Sequence, residues 1–529
     1  VSSGPLALGI DSSTQGISAV AVELGDFSVA AEASLRYRDA GRLAAFGLPA
    51  EGAPILPPRA PGEADQPAAL YLASLELLLA ELGPELLGRV AAIDFSAQQH
   101  GQVWVGAGGL AAMAALREPG SGRPGASDLV SRIAPGLASE RAPIWMSSDA
   151  APEAAAMRAE LGGPERAAAV SGSDFPARFS GPVLARRGAR YPEEYGRCER
   201  VHLISSFLAG VLAGEPEAPI DWGNGSGTGW MDWAGRRWSP ELLAAGSRGL
   251  AGGAAGLARR LPPLAHPLEL AGRIAPYFVE RFGFDPACAV AAGSGDNPQS
   301  KVLAEGALLS LGTSFVLMSP GERPHPSANA MYDGLGRPFL FGCRTNGALA
   351  WEAIRLEAGL GLEDFAASEL ALSRRAPFSG LRVYQPLAES FPPSPELDTG
   401  RLGSFEADYA AVVDSSLGLL ALGAGAFAAR APEVAVTGGA AASPGVLGRV
   451  AAIWGLPARP LGAGGAAAGA ALSAACALAR AAGAGEAELA ALAGRARASL
   501  GGGGAAVEPP AASGGREAFL GRLAASLGA

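Results

Sequence analysis

The chain has 529 residues, 49% of them hydrophobic and 17% charged, with a formal net charge of −10. Such a length implies roughly two to four domains, and such a composition excludes a disordered chain. The acidic balance and the absence of a basic run exclude a nucleic-acid surface, and four cysteines without CxxC spacing exclude a disulfide framework or a cysteine zinc site.

The stretch LALGIDSSTQGISAVAVE, from residue 6, reads as two strands joined by a polar turn. Its tip carries the Asp11 carboxylate, three hydroxyls and several backbone N–H groups, a fit for a phosphate chain and its metal ion. A plain hairpin with a polar turn is the structural alternative. DFSVAAEASLRYRD reads as a further strand, and the Pro/Gly-rich segment after it as a long surface loop. AALYLASLELLLAEL has the apolar spacing of an amphipathic helix, and RVAAIDFSAQQHGQVWV reads as a buried strand ending in a polar corner. Residues 107–140 read as loop, APIWMSSDA as a short strand and APEAAAMRAEL as a helix.

The second half repeats the theme. GALLSLGTSFVLMSP is apolar on either side of Gly312-Thr313-Ser314, a shorter echo of the opening hairpin. EVAVTGGAAASPGVLGRVAAIWG reads as strand, Gly-rich turn and helix, and GAGGAAAGAALSAACALARAAG as a helix whose small residues admit another backbone. A Gly-rich linker and the helix REAFLGRLAASL complete the chain. Alternating strands and helices indicate an α/β architecture, and the echo indicates two related halves with a cleft between them. No leader is expected in Val1–Leu8, and no uninterrupted apolar run favours a membrane span; the Ala/Gly stretch at 462–484 comes nearest.

Three Gly/Ser/Thr turns, at 11–16, 312–314 and 438–439, could present N–H groups to anions. Lys301 is the only lysine, so no P-loop lysine can serve. In AAGSGDNPQSK, Asp296 stands where a strand should enter a helix, as a candidate acceptor of a hydroxyl proton or, alternatively, a helix N-cap. Gln98, Gln99 and His100 follow a buried strand and suit a polyol, because amide and imidazole groups both donate and accept. Arg178 is a donor from a loop, with a surface ion pair as its alternative.

Together these segments resemble the FGGY carbohydrate kinases, and within them the eukaryotic-type xylulokinase branch, from about residue 6 to about residue 480. LGIDSSTQGISAVAVE is similar to the first phosphate motif, SAQQHGQVW and SGSDFPARFSGP to sugar-contact segments, and GSGDNPQS to the catalytic turn. LSLGTSFVLM is similar to the second phosphate motif, and VAVTGGAAASPGVLGRVAAIWGLP to the adenosine motif. The resemblance implies a two-domain, actin-like ATPase fold with ribonuclease H-like domains and a central cleft. It implies a sugar-binding domain over residues 1–303, an ATP-binding domain over 304–500, and a linker with a terminal helix over 501–529.

The implied reaction moves the γ-phosphoryl group of ATP to O5 of D-xylulose, with Asp296 as general base. Gln99, His100, Arg178 and Asn297 would orient the ketose, and Asp11 would hold Mg²⁺ through water. Thr14, Gln15, Gly312, Thr313 and Ser314 would cover the phosphates, and Gly438, Gly439 and Ser443 would border the adenosine. Ribulose, glycerol and gluconate are the alternative substrates, and an actin- or Hsp70-like ATPase switch is the alternative class. A cytoplasmic enzyme follows, acting on a small sugar and ATP without nucleic acid or membrane, with a homodimer as the candidate assembly. Three positions depart from the pattern: the carboxylate after Trp145-Met146 falls at Asp149, Asn224 replaces an acidic residue, and Ser443 replaces a typical Asn.

Overall fold

The computed structural model describes residues 4–48, 55–325, 328–425, 432–462, 464–510 and 515–527. The chain forms two compact units: the first holds residues 1–303, 330–338 and 466–500, and the second holds 304–329, 339–465 and 501–529.

In the first unit, β1 (Leu6–Ser12), β2 (Gly16–Glu23) and β3 (Val29–Arg36) make an antiparallel meander, and β4 (Val90–Ala97) lies parallel to β1 on its other side. The sheet continues with β5 (Leu270–Arg273), β6 (Ala289–Ala291) and β7 (Ser294–Gly295), where β6 and β7 run parallel to β4 and β5 runs antiparallel to β6. β1 and β4 read as near-continuous apolar runs because both faces are covered, whereas β3 at the edge alternates. The helix Ala69–Leu82 buries Leu72, Leu75, Leu78 and Leu79 in this unit's core.

The helix Gly465–Ala481 packs on the same unit, and its small side chains bring its backbone against β1. A Cβ on Gly9 would stand 1.9 Å from the Ala467 carbonyl oxygen and 2.3 Å from the Ala471 nitrogen, so no other residue fits there without displacing the helix. Residues 107–140, expected as loop, contain the helices Ala107–Ala115 and Leu129–Ile133. Met113, Leu116, Leu129 and Ile133 are fully buried there, so tertiary burial overrides the Gly/Pro punctuation. Of APIWMSSDA only Ala142 and Pro143 are strand, the end of the strand Arg141–Pro143, after which the chain turns and leaves Trp145 40% exposed.

The second unit repeats the sheet pattern. β8 (Ala307–Leu311), β9 (Phe315–Pro320) and β10 (Pro338–Arg344) are antiparallel in succession, while β11 (Val434–Thr437) lies parallel to β8 and β12 (Ala458–Pro460) parallel to β11. The order β10-β9-β8-β11 therefore matches β3-β2-β1-β4 in neighbours and in sense. The duplication expected from two short polar turns holds at the level of the sheets. Among the described residues one helix, Phe405–Ala424, is long and apolar enough to cross a membrane, a span that the sequence reading does not single out. Its apolar window is 78% buried, and Asp414 and Ser416 along it bind Arg449 and Trp351, as a core helix does.

Candidate active site

Parallel strands end together, and ligands gather outside their carboxyl ends. In the first unit the registers place Asp11 of β1 beside Ser96 of β4, and Ser96 beside Ser294 of β7, in one row at that edge. Gln99 and His100 follow β4 directly, and Asp296 and Asn297 follow β7 as the first residues of the helix Asp296–Lys301. Residues nearly 300 positions apart thereby meet.

Asp296 is half-buried, and its Oδ1 accepts hydrogen bonds from the Asn297 backbone N–H (2.8 Å) and Nδ2 (3.1 Å). Gly295 occupies the cap position, so the alternative of Asp296 as an ordinary N-cap does not describe it. Burial, followed by the Asp11 charge, pushes the Asp296 carboxyl up to about 7. Asn297 Nδ2 also donates to Gln99 Oε1 (3.0 Å), and Gln99 Nε2 reaches Met331 Sδ at 3.6 Å, which fixes the Gln99 amide.

Burial pushes the Asp11 carboxyl up to about 6, against the Ser96 hydroxyl that donates to its Oδ1 at 2.6 Å. Neither Asp11 nor Asp296 is ion-paired among the described residues, where no group of three or more His, Cys, Asp or Glu side chains gathers either. Two neighbouring carboxylates without a counter-charge fit a divalent cation, and so few protein ligands fit Mg²⁺, which keeps most of its water.

His100 adopts φ 69° and stacks on Phe179, with ring centroids 4.5 Å apart. Its Nδ1 lies 3.0 Å from the Gly227 carbonyl oxygen, which can only accept. Nδ1 therefore carries the proton and Nε2 is an acceptor. Burial, and then the charge of Arg178, hold the imidazole down at about 3, so the ring is neutral at every ordinary pH. Arg178 is half-buried and forms no ion pair among the described residues, which removes the surface-pair alternative.

The turn after β1 is less open than its sequence suggests. The Thr14 hydroxyl donates to Gln98 Oε1 (3.0 Å) and accepts the Trp145 indole N–H (2.9 Å), while Gln15 is exposed. Two of the departing positions have structural employment. Asp149 pairs with Arg190 at 2.9 Å, and Asn224 Nδ2 donates to Ser205 at 2.8 Å while its backbone N–H donates to Asp221, which caps the helix Trp222–Ser226.

In the second unit, β8 leads into Gly312, Thr313 and Ser314, and β11 leads into Gly438 and Gly439. Thr313 is exposed, and the carbonyls of Gly312 and Thr313 accept N–H groups from Ala348 (3.1 Å) and Leu349 (3.5 Å) at the start of the helix Ala348–Glu357. Gly438 has φ 92°, and a Cβ there would stand 2.6 Å from the Leu311 carbonyl oxygen. Gly438 and Gly439 are both exposed. Ser443 is the N-cap of the helix Pro444–Trp454: its hydroxyl accepts the Val446 N–H (3.0 Å) and donates to Glu369. The Glu369 carboxylate also accepts the Gly445 N–H at 3.1 Å, so this helix N-terminus already holds an anion of its own.

A probable D-xylulose kinase A of Aspergillus fumigatus is 32% identical over 370 residues, 67% of this chain and 61% of that protein. The chain is similar in sequence to curated xylulose kinases over about two thirds of its own length. It spans about three-fifths of the length of the curated xylulose kinases it matches, and no family profile matches it. Over the whole chain its fold is that of a xylulose kinase from Brucella ovis, at a TM-score of 0.77 and 21% identity across 98% of both chains. A gluconate kinase from Lactobacillus acidophilus has nearly the same fold, at a TM-score of 0.76 and 16% identity across 98% of this chain and 97% of that one. The likeness to these solved structures establishes a two-domain sugar-kinase fold of the actin-like type; with both kinases on one scaffold, the fold does not choose the sugar.

Sequence reasoning overlooked Ser96, Trp145 and Phe179, which touch Asp11, Thr14 and His100. The parallel pairing of β1 with β4 is the signal that finds Ser96, since it follows once both strands are aligned by their carboxyl ends. Nothing in the sequence brings Trp145 to Thr14.

Proposed function

We propose that the protein is an ATP-dependent kinase that phosphorylates D-xylulose at O5. The observation that carries this reading is Asp296: a half-buried carboxyl poised near neutrality, beside Asp11 and at the shared edge of three parallel strands. A general base works best when its proton affinity lies near the operating pH. Asp296 takes the O5 proton as that oxygen attacks the γ-phosphorus; the O5–P bond forms, the bond to the β,γ-bridging oxygen breaks, and ADP leaves with the electron pair.

His100 and Arg178 divide the recognition of the ketose. The Nε2 of a permanently neutral imidazole accepts from a hydroxyl, and the guanidinium donates to hydroxyl or carbonyl oxygens. Asn297 and Gln99, locked to each other, hold Asp296 and line the same edge. Asp11 would hold Mg²⁺ through water, and the ion would supply charge neutralisation on the phosphates. Phosphate contacts are assigned to Thr14, Gln15, Gly312, Thr313 and Ser314, and the adenosine border to Gly438, Gly439 and Ser443. The first unit, residues 1–303 with 330–338 and 466–500, then serves the sugar and the second the nucleotide; the expected bounds, 304–500 as one domain with 501–529 outside it, give way to a division in which 466–500 joins the first unit and 501–529 the second.

ADP release with Mg·ATP and D-xylulose tests the reading, run beside D-ribulose, glycerol, gluconate and a blank without sugar. A response to xylulose far above the others supports it. A response to a different polyol moves the substrate and keeps Asp296, whereas ADP release independent of sugar replaces the kinase with an ATPase switch.

A further inference from the structure

The turn after β1 is clamped by side chains that its own sequence does not contain. The Thr14 hydroxyl donates to Gln98 Oε1 (3.0 Å), Gln98 Nε2 donates to Gln66 Oε1 (2.5 Å), and Gln66 Nε2 donates to the Thr14 carbonyl (3.0 Å). The three residues close a ring in which every donor points the same way round. Gln66 and Gln98 are buried, and Tyr71 braces them by donating to Gln66 Oε1 at 3.0 Å.

Trp145 completes the clamp from outside, its indole N–H donating to Thr14 Oγ1 at 2.9 Å. Its loop is stitched to residues 62–64: Ile144 N–H to Ala64 O (3.0 Å), Ser148 N–H to Gly62 O (2.8 Å) and Ser147 Oγ to Ala64 O (3.1 Å). Asp149 anchors the end of that loop through Arg190. The Thr14 hydroxyl has therefore committed its proton to Gln98 and one lone pair to Trp145. It has no proton left for a phosphate oxygen, and what it fixes is the orientation of the main chain through the turn.

We propose that Trp145 is a positioning residue for the phosphate chain of ATP. By holding Thr14 together with the Gln66–Gln98 ring, it keeps the Thr14 N–H in place for the nucleotide before the nucleotide arrives, while the Ser13 and Gln15 N–H groups are held inside the turn by the Gly16 carbonyl (2.9 Å) and the Ser13 hydroxyl (3.3 Å). The proposal rests on the kinase reading only in taking Mg·ATP as the ligand of this turn. Preorganised N–H donors bind an anion without the cost of ordering them first.

A double-mutant cycle tests it, read by calorimetric affinity for Mg·ATP in the absence of sugar. Trp145→Phe keeps an aromatic ring and removes the N–H, and Thr14→Val removes the hydroxyl at nearly constant shape. The expected result is roughly 3- to 10-fold weaker Mg·ATP binding in each, the range of one hydrogen bond, with no further loss when both are combined. D-Xylulose affinity and thermal unfolding of Trp145→Phe stay at wild-type values. Unchanged Mg·ATP binding in Trp145→Phe, additive losses in the double variant, or a loss confined to xylulose would overturn the proposal. A wild-type chain that binds Mg·ATP yet phosphorylates no sugar overturns the proposed reaction and leaves the cycle readable; one that binds no Mg·ATP overturns both.

Discussion

The two units present the same strand pattern with opposite chemistry at the ends of their parallel strands. In the first, the candidate groups at the strand ends are half-buried carboxylates, amides, the half-buried Arg178 and a buried imidazole, and burial is the largest cause of each shifted proton affinity. In the second, the candidate groups are glycines, of which Gly438 and Gly439 are exposed, and the hydroxyls of Thr313, Ser314 and Ser443, the last of which already caps a helix and binds Glu369. One scaffold thus yields a desolvated edge suited to proton transfer and a backbone-lined edge suited to a ligand that needs only shape and N–H donors. The difference lies in the residues grafted after the strands, not in the strands.

Removing the proton acceptor is the harshest way to break that contrast. Asp296→Asn should lower kcat by roughly 10²–10⁴, the usual worth of a general base, and leave xylulose affinity within a few-fold by calorimetry. Near-normal turnover would show that the desolvated edge does not perform the chemistry.

Arg178→Ala should raise KM for xylulose by about 10- to 100-fold, the loss of a charge-assisted hydrogen bond, with KM for ATP unmoved. A shift in the ATP constant instead would mean that the sugar is not the ligand of this edge.

The pH dependence sharpens the comparison further. The acid limb of kcat/KM should report a group near 7, and Asp11→Asn, by removing the charge that helps raise Asp296, should move that limb to lower pH in the residual activity. Both carboxyls bind protons more tightly folded than unfolded, so their contribution to stability is present at low pH and lost as pH rises through about 6 to 7. Asp296→Asn should therefore melt above the wild type at pH 8, with the gap closing toward pH 5; an equal gap at both values would rule out the buried charge as its source.

The smallest effect belongs to the second unit. Ser443→Ala should cost about 1 kcal/mol of stability, as loss of an N-cap does, with KM for ATP changed less than about twofold. A large rise in that KM would mean that Ser443 serves the adenosine border through its hydroxyl and not only through its place at the helix start.

What is legible along the chain divides from what is not according to whether a feature is decided locally. Both hairpins, the helix after Ser443 and the small-residue helix at 465–481 follow from apolar periodicity interrupted by Gly, Ser and Thr, because neighbouring residues settle each of them. The helices within 107–140 do not, since Met113, Leu129 and Ile133 gain their helix only by burial against distant elements. The same division runs through the site. Asp11, Asp296 and His100 stand out as residue types at strand ends. The commitment of Thr14 and Ser443 to Trp145 and Glu369 is a tertiary fact, which no spacing along the chain encodes.

The backbone contact at Gly9 bears on how the protein is made. The helix that covers β1 begins at residue 465, so the first unit cannot close its core while only its first 303 residues have been synthesised. At ordinary elongation rates the ribosome needs on the order of 10 s or more to add the missing segment. Throughout that interval a glycine-grooved apolar strand waits without its lid, and it is then that the nascent chain depends most on being shielded from its neighbours.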